Sequence, residues 1–378
     1  MRRYHQIATA HGQPYRDVRI EYPPLTWAAI KVLDGPTVRS AASRLIWSQA
    51  ALDLLTVGAL AFGWGRRAAT AYLWLGLVFV VWPFLYLRLD LLSVALAMWG
   101  LALLRRRTPR VGGFVLAAAC FAKLWPLVLL PLLAIQRSWK AFGAAVGAGL
   151  TGFAAWWWWG GTRGISDVLT FRGAKGWQIE SITGSLVRVF GSGRVHVESG
   201  AWRVGTMTSV AHDALTAALL AAVAVTWWLV RRVGPADPGL ADGIAPVTAI
   251  AALLIFSPIL SPQYVVWLLP FAAIASSFGD RLTSGLAIVV CALSTLLIYE
   301  IDAVIAGQSF ALGVLALRNS LLVALFAVGL WTIGRVRRGL QLCPEGDIHV
   351  QQSGPVDEPE LTERAAIFVG ASNRGESE

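Results

Sequence analysis

The chain has 378 residues, 56% of them hydrophobic and only 14% charged, with a mean hydropathy of +0.60. Soluble globular chains carry about 25% charged residues, so a water-soluble globule is excluded and an all-α bundle crossing a membrane many times is expected. The net charge of +10 is almost all arginine, 28 residues against four lysines; arginine at cytoplasmic loop ends accounts for it without a nucleic-acid partner, and the Ala, Gly, Trp and Arg content points to a GC-rich bacterial genome.

Arginine clusters at 66–67, 105–107, 137–140, 231–232 and 335–338 punctuate the apolar runs and orient them. Residues 1–40 fall outside with no span of their own. The chain crosses inward over 42–62, outward over 68–87 and back over about 90–104. Residues 111–135 have cytoplasmic charge on both flanks, so they must cross an even number of times. They are too few for two full spans at about 1.5 Å per residue. The spacing therefore predicts two short helices meeting at Lys123-Leu124-Trp125-Pro126, where proline breaks the helix and irregular backbone lines protein or a watery cavity.

Residues 141–159 cross outward and end in Trp156 to Trp159, an interfacial aromatic anchor. A loop over 160–210 lies outside, and 211–230 returns. Segments 243–259 and 264–279 form a second short pair, broken at Ser257-Pro258 and Ser261-Pro262. Residues 283–299 go out and 312–333 come back, giving about eleven passes and a membrane domain over 1–340. From 341 the chain is polar and acidic, a disordered cytoplasmic tail. This parity leaves 1–40 outside with no signal sequence to export them, which predicts a first transmembrane helix ahead of Met1. The alternative is that the N-terminal segment stays inside and the parity is off by one.

Cys120, Cys291 and Cys343 are isolated and the five histidines form no ligand pattern, so neither a metal site nor a disulfide framework is expected. Three polar clusters are candidates for chemistry. Asp17-Val-Arg19-Ile-Glu21-Tyr22-Pro23-Pro24 packs carboxylates and arginines before a rigid turn. Arg172-Gly-Ala-Lys175-Gly-Trp-Gln178-Ile-Glu180-Ser181 lies in the large loop. Both outside regions carry six basic and three acidic residues; a partner bearing phosphate would explain the excess, and a solvated loop is the plain alternative. The third set sits in or beside spans: Arg44, Arg88-Leu-Asp90, Lys123, Gln263-Tyr264 and Arg318. A charge at mid-bilayer costs about 2.5–3.5 kcal/mol even on the lenient insertion scale. Arg44, Arg88 and Asp90 could snorkel at helix ends, whereas Lys123 falls at the tip of the inferred hairpin.

Asp17-Val-Arg-Ile-Glu21-Tyr22-Pro23-Pro24, Arg88-Leu-Asp90, Lys123-Leu-Trp-Pro126, Gln178-Ile-Glu180-Ser181 and Ser261-Pro-Gln263-Tyr264-Val-Val-Trp267-Leu-Leu-Pro270 together resemble glycosyltransferase family 87, from about residue 4 to 335. The resemblance implies a GT-C-type membrane bundle in a bacterial plasma membrane. It also implies transfer of a hexosyl residue, mannose, from a polyprenyl-phosphate sugar to a glycolipid or glycan acceptor. In GT-C enzymes the catalytic carboxylate follows the first transmembrane helix, which would place the family's leading Asp just before Met1. Asp17 and Glu21 match the later part of that motif.

On this reading Asp17 or Glu21 is the base or orients the acceptor. Arg172, Lys175 and Lys123 bind the lipid phosphate, which needs cations rather than a general acid. Gln178, Glu180, Gln263 and Tyr264 bond sugar hydroxyls, and Tyr22, Arg88 and Asp90 complete the substrate site. Single displacement predicts inversion, and the scheme calls for no metal or cofactor. The alternatives are a transporter or flippase of lipid-linked sugars, which would share spans and broken helices, a truncated inactive homologue, or a membrane scaffold.

Overall fold

The structure, a computed structural model, describes residues 2–78, 85–191, 193–234 and 237–342. One compact unit spans Met1–Arg338; the second, Gly339–Glu378, is described only through Leu342. The tail expected to be disordered, with Cys343, thus lies outside the described residues from 343 onward, as does the 79–84 stretch of the second span.

The architecture is all-α and polytopic. Among the described residues five helices are long and apolar enough to cross a membrane. They are α3 (Val38–Trp64), α10 (Ser209–Val233), a π turn continuing into α11 (Gly239–Phe256), α13 (Leu282–Tyr299) and the 309–336 part of α15 (Ser309–Leu342). Shorter helices fill the gaps: α2 (Pro24–Leu33), α4 (Arg66–Val78), α5 (Asp90–Arg105), α6 (Pro109–Ala122), α7 (Leu130–Ile135), α12 (Leu269–Ser277) and α14 (Ile301–Ala306). α8 (Trp139–Leu169) bends at Gly161, whose φ of 66° only glycine adopts without strain. Of an apolar 18-residue stretch, 83% is buried in the 239–256 helix and 17% in α10, so the former lies inside the bundle and the latter on its outside.

Local chemistry sets the helix ends. Thr37 and Ser40 close a reciprocal capping box that starts α3, and Gly65 (φ 93°) ends it. α6 stops at Lys123, where the backbone turns extended; Pro126 then sits in the 3-10 turn Trp125–Leu129 that leads into α7. The second predicted break behaves alike: α11 ends at Phe256, and a 3-10 turn, Pro262–Trp267, leads into α12.

Two features exceed the sequence reading. The N-terminal segment forms α1 (Arg2–Thr9) and α2, and it is clamped onto α8. Tyr15, 1% exposed, packs edge-on against Trp156 and Trp159 at 5.8 and 5.5 Å, and Arg19 pairs with buried Asp167 at 2.6 Å. The 160–210 loop carries α9 (Ile182–Phe190) and a small antiparallel sheet of β1 (Trp177–Gln178), β2 (His196–Glu198) and β3 (Ala201–Val204), ordered β1-β3-β2, with Trp177 opposite Val204 and Val197 opposite Trp202.

Small residues let the helices touch backbone to backbone, as membrane bundles require. A Cβ added at Gly113 would lie 2.1 Å from the Ala141 carbonyl oxygen of α8. Gly113→Leu is therefore expected to force α6 and α8 apart, cost about 1–3 kcal/mol as overpacking does, and lower the thermal-inactivation midpoint in detergent; Gly147→Leu, with open space around it, should not.

Candidate functional site

The two helix breaks, the N-terminal segment and the loop sheet converge on a cavity of about 470 Å³. Each wall follows from an element already described. The segment before α2 supplies Glu21 and Tyr22, α5 and the residues ahead of it supply Arg88 and Asp90, and the α6 terminus supplies Lys123. The loop supplies Gln178, Glu180, Trp202 and Arg203, and the second break supplies Gln263, Tyr264 and Trp267. The lining also includes the aliphatic residues Leu253, Leu254, Ile259, Ile298 and Ile301.

Asp90 is the node of the polar lining. Its residue is 2% exposed, and its Oδ1 accepts from Lys123 Nζ at 2.5 Å and from Trp267 Nε1 at 3.0 Å. Trp267 is sandwiched between Trp125 (centroids 5.5 Å, 11° between planes) and Tyr264 (4.5 Å, 17°). The Lys123 ammonium lies 4.5 Å from the Tyr264 ring centroid, a cation–π contact added to the ion pair. Trp125 in turn donates to Ser93 Oγ at 2.8 Å. Thr26 of α2 donates to the Ala122 carbonyl at the end of α6, satisfying an acceptor that the helix break exposes.

Glu180 is 5% exposed. Its Oε2 accepts from Gln178 Nε2 at 3.0 Å, and its Oε1 has no hydrogen-bond partner among the described residues. Burial pushes its carboxyl up to about 7, against the opposing pull of Arg318, the Gln178 bond and Arg88. The loop is fixed to α15 by Arg318, fully buried, whose Nη2 donates to the Glu180 carbonyl at 2.9 Å, and by Asn319, which donates to Ser185 Oγ at 2.8 Å. Glu21 is held by Arg3 at 3.0 Å and Arg172 at 3.5 Å.

Glu21, Tyr22, Arg88, Asp90, Lys123, Gln178, Glu180, Gln263 and Tyr264 are thus brought to one cavity. The other three residues given a substrate or catalytic role from the sequence, Asp17, Arg172 and Lys175, are not among those that line it. Asp17 closes a turn, accepting from the Gln13 amide at 2.6 Å. Arg172 stands behind Glu21 and donates to the Ser199 carbonyl. Lys175 is exposed, and its amide bonds to Glu198 at 2.8 Å. Arg203 and Trp202 line the cavity without having been singled out. Arg203 is 2% exposed and bonds Gly176 O at 2.7 Å; an arginine in a loop read as solvated carried no signal of burial. Among the described residues no group of three or more His, Cys, Asp or Glu could hold a metal.

Fold and cavity together define a polytopic membrane protein with a site lined by charged, aromatic, amide and aliphatic side chains. The family model described as Glycosyltransferase family 87 matches residues 21–262. That is more than half of the chain, and it spans both helix breaks as far as Pro262 and the loop between them. The chain belongs to glycosyltransferase family 87 and is a membrane glycosyltransferase. No curated protein matches it.

Removing one partner of a buried ion pair leaves an uncompensated charge and costs about 3–5 kcal/mol. Lys123→Met is therefore expected to lower the unfolding midpoint sharply. Adding Asp90→Asn should recover most of the loss, because the orphaned charge is gone; thermal denaturation of the wild type and the two variants in one detergent checks this.

Proposed function

We propose that the enzyme transfers a hexosyl residue, mannose, from a polyprenyl-phosphate sugar to a glycolipid or glycan acceptor, with inversion at the anomeric carbon. It does so on the extracytoplasmic face of a bacterial plasma membrane, with its C-terminus in the cytoplasm. The observation that carries this reading is the mixed cationic and aliphatic lining of one cavity. A sugar phosphate joined to an isoprenoid chain is anionic and polar at one end and aliphatic at the other. Arg88, Lys123 and Arg203 line the same cavity as Leu253, Leu254, Ile298 and Ile301.

In this reading Lys123 and Arg88 take the donor phosphate. Arg172, behind Glu21, acts through that carboxylate, and Lys175 and Asp17 are outside the reacting group's reach. The bond from the anomeric carbon to the phosphate oxygen breaks, and its electron pair leaves with an already ionised phosphate, so cations and no acid are needed. Gln178, Gln263, Tyr264 and Trp202 offer the amides, hydroxyl and ring faces that hold a sugar, with Tyr22 beside them. Glu21, anchored by two arginines, orients the acceptor, and membrane lipids surround the rest.

Membrane vesicles given radiolabelled polyprenyl-phosphate mannose are expected to move label into a glycolipid or glycan fraction. Arg88→Ala should lower kcat/KM by about 10²–10³-fold, the cost of losing one donor to the developing charge. Label that stays in the donor with the wild-type enzyme refutes the donor class. The orientation is tested separately: single cysteines placed within 160–210 should react with a membrane-impermeant maleimide in intact cells, and one placed at 107 should not.

A further inference from the structure

We propose that Arg203 forms a second anion-binding position of the cavity, one that takes a phosphate group through its Nη2. This rests on the cavity being the substrate site, and it does not depend on which sugar is transferred.

Arg203 sits in β3, the central strand of the loop sheet, opposite Gln178 of β1. Residues directly opposite each other in an antiparallel pair share a face of the sheet, and both line the cavity. Main-chain acceptors set the guanidinium in place. Nε donates to the Glu198 carbonyl at 3.2 Å and Nη1 to the Gly176 carbonyl at 2.7 Å. A Cβ at Gly176 would lie 2.8 Å from Arg203 Cβ, so a glycine is what lets that carbonyl come so near. Nη2 makes no hydrogen bond among the described residues. With Arg203 only 2% exposed, its unspent N–H groups have the cavity, and not bulk water, to bond into.

Its charge is also incompletely matched. The Glu198 carboxylate stands 3.9 Å from Nε, beyond hydrogen-bond reach, and its two oxygens accept instead from the Lys175 and Gly176 amides at 2.8 and 2.7 Å. Burial pushes Arg203 below the ordinary arginine range, against the pull of Glu198 and Tyr264, and Arg172 adds to the push. A buried cation without a bonded counter-ion is costly, and an arriving anion removes that cost.

Phosphate suits the position because a guanidinium presents its N–H groups in the fork geometry of phosphate oxygens. Tyr264 is close enough to act on the Arg203 charge, and its hydroxyl makes no hydrogen bond among the described residues, so it offers a further donor. The position is separate from the one at the helix breaks. Lys123 is bonded to Asp90, whereas the groups acting on Arg203 are Glu198, Tyr264 and Arg172. Tyr264 is near both centres, since Asp90, Arg88 and Arg203 all act on it. The phosphate has two possible sources, the donor and an acidic acceptor.

The test is equilibrium binding to the purified full chain in a neutral detergent. The probes are farnesyl phosphate, which carries an isoprenoid phosphate as the donor does, and lysophosphatidylglycerol, which stands for an acidic lipid acceptor; farnesol is the uncharged control. Arg203→Gln is expected to raise the Kd of a phosphate probe by about 10–100-fold, the worth of a hydrogen bond to a charged group, and to leave farnesol within about twofold. A loss for farnesyl phosphate assigns the position to the donor, and a loss for lysophosphatidylglycerol alone assigns it to the acceptor. Glu198→Gln removes the opposing carboxylate and should lower the same Kd by about threefold. A side chain that only braces the loop would not give opposite shifts in these two variants, and the second variant decides the matter even if Arg203→Gln fails to fold. Three results overturn the proposal: wild-type protein that binds neither phosphate probe, an Arg203→Gln protein that keeps both wild-type Kd values or loses farnesol equally, or a Glu198→Gln protein with no gain for either probe. Vesicles that never transfer label from polyprenyl-phosphate mannose count against the donor sugar alone, because the binding shifts are read without turnover.

Discussion

One carboxylate oxygen, Asp90 Oδ1, accepts from a lysine at the end of one broken helix and from a tryptophan at the start of another. A nearly buried charge is tolerable only with such partners, so the three chain segments that carry them must meet. Lys123 reaches Asp90 because α6 ends at that residue with extended backbone. Trp267 reaches it because the second break places a 3-10 turn at the same depth. Stacking of Trp125, Trp267 and Tyr264 then aligns the two breaks as one aromatic column. A cavity forms beside this column because neither broken helix runs on to fill the space.

The rest of the site is hung on that column from two directions. Tyr15, packed between tryptophans of α8, and the Arg19–Asp167 pair pin the N-terminal segment so that Glu21 and Tyr22 face the cavity. From the opposite direction Arg318 and Asn319 of α15 hold the loop that carries Gln178 and Glu180. A buried arginine in a long apolar helix is expensive; here its bond to the Glu180 carbonyl makes it the anchor of a loop. Glu180 receives a neutral amide where Asp90 and Glu21 are paired with cations, so the three carboxylates that line the cavity among the described residues have three different sets of partners.

Much of the fold was legible because it is set by local chemistry. Twenty-residue apolar runs, arginine punctuation and prolines after Lys123 and Ser261 dictate helices and where they stop. The loop sheet was not legible: its strands are two to four residues long, too short for alternation to show, and pairing β1 to β3 is a long-range choice. Asp17 and Glu21 looked equivalent in the sequence. The turn closed by Asp17 on Gln13, and the left-handed backbone at Tyr15, send the two in different directions.

The sequence by itself determined the solvent of this protein, its helix breaks and the charged motifs beside them, because hydrophobic length and proline chemistry act over a few neighbouring residues. It also carried the family, since the quoted motifs lie along most of the matched stretch. Only the tertiary structure decided which charges face the cavity and which pair with each other. Arg172 and Lys175 read as phosphate ligands from their neighbours in the chain, yet the former is spent on Glu21 and the latter is exposed and does not line the cavity. Arg203, silent in the sequence, is buried on the wall. The physical reason is that the partner of a charge is fixed by distance in space and by desolvation, and neither can be read from order along the chain.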